Sequence, residues 1–554
     1  MRASAYAGGA AIAGTPQYRS SSRCLQHIII SVIIKKKLQH MRLFLFLVGG
    51  TGSRVMRPLI MQLAAGIRPL DENGNQLPAE IVPIIVDPHK ANEDLKRTDN
   101  LLRWYRQIRR SMYGDSDDVK KGFFGVKIST LSDIIPDSTG IADTFMFNLG
   151  SVASKKFRDF ISYPTLDSGN QALCSMMFSD YQLDTKMDIG FVGSPNIGAV
   201  ALNQFKDSEE FRQFSNVFDK NDRVFVVSSI FGGTGAAGYP IIVKNIRNAA
   251  NNPMLNNRGD LRDAKIGALT VLPYFNVQQD ENSPISRADF ISKTKSALFY
   301  YHDNLTGLRQ EGQDLNMSKI NACYYVGDEV ASNPYFNDPG DNGQRNDAHV
   351  IEYVGALAIL DFLSIPDSQL VSRNGNALNP IFKEYGLAAD KMTLTLRDFG
   401  AQTRSLVNRR MAMFHLAYMY ITNQFRADIG HGYTYDKPEI RNEFLSSTFF
   451  NDLTSNFFVA YRMWLVELRN NRRSFAPFNL ETTKLSEALC DIAPRKKLFQ
   501  GTIDYKTLLS ALNKASMDIS KTGRYTSANV SYKLLDLLDE VLEKLIDEKF
   551  VGVV

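Results

Sequence analysis

Short, unbroken apolar runs that stop at glycine or aspartate recur through the first 330 residues. Leu43-Phe44-Leu45-Phe46-Leu47-Val48 runs into Gly49-Gly50, and Ile81-Val82-Pro83-Ile84-Ile85-Val86 runs into Asp87. Runs without polar alternation are how strands buried on both faces of a parallel sheet read. Arg223 to Ile230, Ile266 to Leu272 and Ala322 to Val326 are further strands of this kind. Between them the apolar spacing lengthens to that of a helix over Arg54 to Ala65, Leu95 to Ser111, Tyr239 to Ala250 and Arg287 to Tyr301. Strand and helix alternate, which predicts a doubly wound α/β domain with a mainly parallel sheet.

Asn346 to Leu363 (NDAHVIEYVGALAILDFL) is apolar almost all the way round and predicts a long central helix buried between layers. Lys391 to Leu396 alternates like a strand, Thr403 to Phe425 is helical, and the chain from Tyr505 is mainly helical. Residues 112–140 and 327–346 are rich in Gly, Asp, Asn and Ser and read as loops. The expected organisation is a leader over 1–40, a nucleotide-binding α/β domain over 41–345, the central helix over 346–365, a smaller α+β domain over 366–500 and a helical C-terminal extension over 501–554.

Composition narrows the classes. The 554 residues are 44% apolar and 22% charged, and no run approaches the roughly 18 apolar residues of a spanning helix, so no membrane span is expected. Cys24, Cys174, Cys323 and Cys490 form no CxxC pair, which argues against a disulfide framework or zinc ribbon and for a reducing cytoplasm. The net charge of +5 is concentrated in residues 1–40, where six basic residues stand without an acid; the rest of the chain carries 58 basic against 59 acidic residues. The electrostatic case for a nucleic-acid partner disappears with that division. Residues 1–40 also place Lys35-Lys36-Lys37 after the apolar stretch Ile28–Ile34, the reverse of a secretory signal, and read as an upstream start with Met41 as the natural initiator.

The chemistry lies in two glycine turns. Gly49-Gly50-Thr51-Gly52-Ser53 follows the first strand, and Gly232-Gly233-Thr234-Gly235 follows the strand at 223–230, each opening a helix. Backbone N–H groups and the positive end of the helix then face an anion, and threonine adds a hydroxyl donor. Two such turns with threonine in the same place indicate phosphate, and a side chain at Gly235 is expected to obstruct its approach. A Walker A lysine is missing from both turns. Gly233, Gly235 and Gly238 satisfy G-x-G-x-x-G, but an NAD-type oxidoreductase needs an acid about 20 residues on, at the end of the next strand; residues 245–259 contain none, and that strand ends in Leu272-Pro273-Tyr274-Phe275. No HExxH cluster or G-x-S-x-G elbow is present.

Val226 to Pro240 (VVSSIFGGTGAAGYP) resembles the signature strand and phosphate loop of the tubulin/FtsZ superfamily, with Phe231 where a first glycine is usual. In the same order as the family's elements, Gly49 to Ser53 resembles the first nucleotide loop, Asp87 the acid ending the second strand, and Leu269 to Phe275 the strand with its proline turn. Gly190 to Gly198, with Gly193 and Ser194, lies where the γ-phosphate loop would be, and Asn346-Asp347-Ala348-His349 resembles the start of the central helix that closes over the base. The resemblance covers residues 41–365 and is nearest to divergent bacterial tubulin-like proteins. It implies GTP or GDP with Mg²⁺, the metal at Asp87 directly or through water, and head-to-tail self-association with nucleotide at the subunit junction. His349 would stack on the base and Tyr353 occupies the position that would read it, with Glu352 one residue off. The family's catalytic acid comes from a loop after the central helix; residues 368–383 hold no Asp or Glu, leaving Asp367 and Asp398 as candidates. Slow or absent hydrolysis is therefore expected, and a non-hydrolysing scaffold that keeps the nucleotide as a structural ligand is the alternative.

Overall fold

The computed structural model describes residues 41–77, 79–89, 92–116, 119, 121–135, 141–150, 152–188, 190–191, 193–277, 287–307, 318–329, 334–335, 346–386, 391–492, 502–526 and 528–550. The expected leader over 1–40 lies outside them.

The apolar runs become β1 (Met41–Val48), β2 (Ala79–Val86), β4 (Arg223–Ser229), β5 (Lys265–Val271) and β6 (Ala322–Gly327). They are joined by two strands that the apolar pattern does not announce, the two-residue β3 (Lys127–Ile128) and β7 (Ile381–Gly386). The seven form one sheet in the order β7-β6-β5-β4-β1-β2-β3, every neighbouring pair parallel. Strand β1 explains why its run is unbroken. Leu43, Leu45 and Leu47 enter the core on one face, while Phe44, Phe46 and Val48 enter a second core on the other.

Helices cover both faces. α1 (Gly49–Ala64), α2 (Glu93–Tyr113) and the central α6 (Val350–Ser364) lie on the first face; α3 (Pro195–Leu202), α4 (Gly233–Arg247) and α5 (Arg287–Tyr301) belong to the second. α6 packs on α1, β5 and β6, which accounts for its apolar circumference. α7 (Ala401–Asn423), α8 (Phe458–Asn470), α9 (Tyr505–Lys521) and α10 (Val530–Lys549) extend the first core, with α10 reaching back to α2. Within residues 366–500, β7 completes the main sheet. The strand expected at 391–396 shortens to Thr393–Leu394, paired with Ser474–Phe475.

No described helix is long and apolar enough to cross a membrane.

Candidate functional site: a convergence of helix N-termini

β1 and β4 are neighbours, yet the chain leaves β1 toward β2 and leaves β4 toward β5, in opposite directions across the sheet. Open parallel sheets bind ligands beyond the carboxyl ends of their strands at such a reversal. Both glycine turns sit there. A Cβ built on Gly49 would lie 3.4 Å from the Gly235 nitrogen and 3.5 Å from the Thr234 Cβ, so the turns face one another at close range. The loop before α3 joins them: a Cβ on Gly233 would lie 3.1 Å from the Gly193 nitrogen and 3.2 Å from the Ser194 nitrogen. α1, α4 and α3 start from Val48, Gly232 and Ser194, and none of these N-terminal positions receives a side-chain capping bond. Three helix ends thus present backbone donors and positive dipole ends to one place.

The glycines divide by role. Gly49 has φ +73°, in the left-handed region that favours glycine. Gly50 is half-buried, and among the described residues only the Asn92 side chain comes near its missing Cβ, at 3.9 Å. Gly52 instead presses on β1, where a Cβ would stand 2.6 Å from the Leu47 carbonyl carbon, and Gly235 presses on β4, where it would stand 2.6 Å from the Ser229 carbonyl oxygen. The expectation for Gly235 therefore needs correcting: its missing side chain makes room for the strand backbone, and a substitution there strikes the fold before it meets a ligand. Gly232 is intermediate, 3.0 Å from the Ser229 hydroxyl.

Of the hydroxyls, Thr51 is half-buried, while Thr234 and Ser194 are each 8% exposed. The Thr234 Oγ1 lies 3.6 Å from the Cβ position of Gly190, where the γ-phosphate loop was expected. Ser53 turns inward, donating to the Gly50 carbonyl at 3.1 Å. Asp87 ends β2 as expected. Its Oδ1 accepts from the His89 N–H at 2.9 Å, and burial pushes its carboxyl up to about 7. Such a group ionises near neutrality and suits a cation held directly or through water. No cluster of three or more His, Cys, Asp or Glu side chains that could hold a metal occurs among the described residues.

The start of α6 is built differently from expectation. His349 is its N-cap: Nδ1 accepts from the Ile351 N–H at 3.1 Å, and Glu352 reaches back to the His349 N–H at 3.3 Å. The ring packs 4.8 Å from Tyr274, and burial pulls its pKa down to about 3, so it is neutral. Asn346 is bound to Asp94 through its amide nitrogen at 2.9 Å. Tyr353 is not brought to the site: fully buried, it packs against Phe399, Trp464 and Phe475.

Sequence reasoning missed what holds this segment. Arg54 pairs with Glu352, Arg57 with Asp94 at 3.4 Å, and Arg97 with Glu467 at 2.5 Å, while Glu467 also accepts from the Ala348 N–H at 3.0 Å. The signal was Arg54 and Arg57 one turn apart on an otherwise apolar helix, since buried arginines require partners.

The two candidate acids lie elsewhere. Asp367 is at the amino ends of β4 and β5, bonded to Arg223 and Lys265 at 2.8 Å each. Asp398 caps its own turn, accepting from the Thr395 N–H at 2.7 Å, and pairs with Lys391. No known protein-family profile matches the chain, and no curated protein matches it significantly.

Proposed function

We propose that the chain is a nucleotide-binding protein of tubulin/FtsZ type, taking GTP or GDP with Mg²⁺ and associating head to tail, with hydrolysis slow or absent. The observation that carries the reading is the convergence of three uncapped helix N-termini, two of them GGTG turns, at the reversal between β1 and β4. Amides of Gly50, Thr51, Gly233 and Thr234 would bind phosphate oxygens, with the Thr234 hydroxyl adding a donor. Asp87 would hold Mg²⁺, which balances phosphate charge. His349, neutral with its Nδ1 occupied, keeps Nε2 as its N–H, and Tyr274 beside it offers an aromatic face.

The strand order alone also serves dinucleotide enzymes. Against them stands the end of β5, which runs into Leu272-Pro273-Tyr274-Phe275 without an acid and where Tyr274 packs on Phe231 and His349. Head-to-tail association is supported by the position of Asp367, at the opposite end of the sheet from the glycine turns. Slow hydrolysis is supported by the engagement of both acids in ion pairs, which also favours the scaffold among the alternatives. Mass spectrometry of the small molecules released on denaturing purified protein tests the reading. GDP or GTP supports it, NAD replaces it with an oxidoreductase, and protein that neither retains nor rebinds a nucleotide refutes it.

A further inference from the structure

Neither glycine turn contains a lysine, so the converging N-termini offer partial charges only. The fold brings a full charge from a distant segment. Helix α5 lies against this region at two points: Lys293 Nζ donates to the Gly193 carbonyl at 3.0 Å, and the Tyr301 hydroxyl, two turns further on, donates to the Ala236 carbonyl in the first turn of α4 at 2.9 Å. Eight positions apart in sequence, they are separated by roughly 12 Å along the helix, so α5 bridges the loop before α3 and the second glycine turn. Lys293 is half-buried. Its ammonium has three donors, and the carbonyl uses one. Nearby Arg54 and Arg57 are committed to Glu352 and Asp94.

We propose that Lys293 is the side-chain cation of the phosphate site, moving from the Gly193 carbonyl to the outermost phosphate of a bound nucleotide and so favouring triphosphate over shorter chains. This rests on the nucleotide-binding reading and assigns a residue to it. The position fits: the amide of Gly193, whose carbonyl now holds the ammonium, is 3.1 Å from the Cβ position of Gly233 in the second turn. The long flexible stem of lysine lets its point charge shift by several ångströms without moving the helix.

The test is calorimetric titration of GMP, GDP and a non-hydrolysable GTP analogue into wild-type protein, Lys293→Met and Lys293→Arg. Charge-assisted bonds predict that Lys293→Met weakens the triphosphate analogue by roughly 10- to 100-fold and leaves GMP within about 2-fold. Lys293→Arg should recover most of the loss, and the salt dependence of triphosphate binding should fall in the methionine variant. Equal weakening of all three ligands by Lys293→Met would mean that the lysine only props the loop, and unchanged binding would mean that it stays on the carbonyl; either overturns the proposal. Wild-type protein that binds none of the three overturns the nucleotide reading and the lysine's assignment together, whereas intact GMP and GDP binding with no preference for triphosphate overturns the assignment alone.

Discussion

The two ends of the central sheet are built on opposite principles. At the carboxyl ends of β1 and β4, backbone donors are left without side-chain caps, Asp87 has no ion-pair partner among the described residues, and the glycines keep side chains out. At the amino ends, backbone carbonyls and ion pairs engage the charged side chains that open β4 and β5. Arg223, buried on β4, donates to the carbonyls of Phe362 at 2.5 Å and Ile365 at 2.7 Å and to Asp367, which Lys265 also holds. Helix N-termini without side-chain caps, gathered at one end of the sheet, have a use there, because the first amides of a helix lack intrahelical partners and are open to an anion. The same pair of ends divides the acids: burial raises Asp87, whereas at Asp367 burial is outweighed by Lys265 and Arg223 and the carboxyl lies below its usual range.

The largest effect expected is from Gly235→Val. A side chain 2.6 Å from the Ser229 carbonyl oxygen has backbone to displace, so the variant should lose about 3 kcal/mol or more of stability. Thermal or urea unfolding without ligand measures it. A variant as stable as wild type that merely fails to bind phosphate would restore Gly235 to a purely ligand-facing role and erase the distinction between the packed and the open glycines. Next in size is Arg223→Met at the closed end, which strips the helix-end carbonyls of their donor and should cost roughly 2–3 kcal/mol. Phosphate affinity, measured where both proteins are folded, should be unchanged, since the change lies at the far end of β4.

How much of this was legible from the chain follows from what each element buries. β1, β2, β4, β5 and β6 are buried on both faces, so their runs were continuous and their bounds matched within a residue or two. β7 is an edge strand with Phe382 42% exposed and two charged residues among its six, and it carries no such run. Helices α1 and α4 begin inside the glycine turns, several residues earlier than expected, because close packing on β1 and β4 overrides the poor helix propensity of glycine. In the site, the turns and Asp87 were legible because glycine and a strand-ending acid mark a chain locally. The engagement of His349, Asn346 and Tyr353 was not, since Asp94 and Trp464 are distant in sequence. Lys293 was invisible for the same reason: nothing near it resembles a phosphate loop.

A smaller effect separates the two acids by pH. A carboxyl raised in the folded state contributes stability that is present below its unfolded pKa of 3.8 and lost as pH rises through its folded value of about 7. Wild-type protein should therefore lose stability between about pH 4 and pH 7 through this group, and Asp87→Asn should flatten that part of the curve. Stability measured by urea unfolding at several pH values decides it; an unchanged slope would mean that Asp87 is already paired or ionised. Mg²⁺ should steepen the difference between the proteins above pH 7, because only the carboxylate attracts the cation.

The smallest structural effect is expected at Asp367, and its sign is opposite. Its folded pKa is lowered, so its contribution is present above pH 3.8 and disappears as pH falls below that value. Asp367→Asn should remove this acid-side slope and cost no more than about 1 kcal/mol near neutrality, the side chain being 46% exposed. Turnover is the sharper readout. An acid held by Arg223 and Lys265 is a poor base for water, so nucleotide hydrolysis should be slow, proportional to protein concentration, and the same in wild type and Asp367→Asn. Hydrolysis that climbs more steeply than protein concentration and collapses in Asp367→Asn would show that assembly releases the carboxylate from its two cations. The closed end of one subunit would then complete the open end of the next, and the contrast between the two ends would be a property of the free subunit alone.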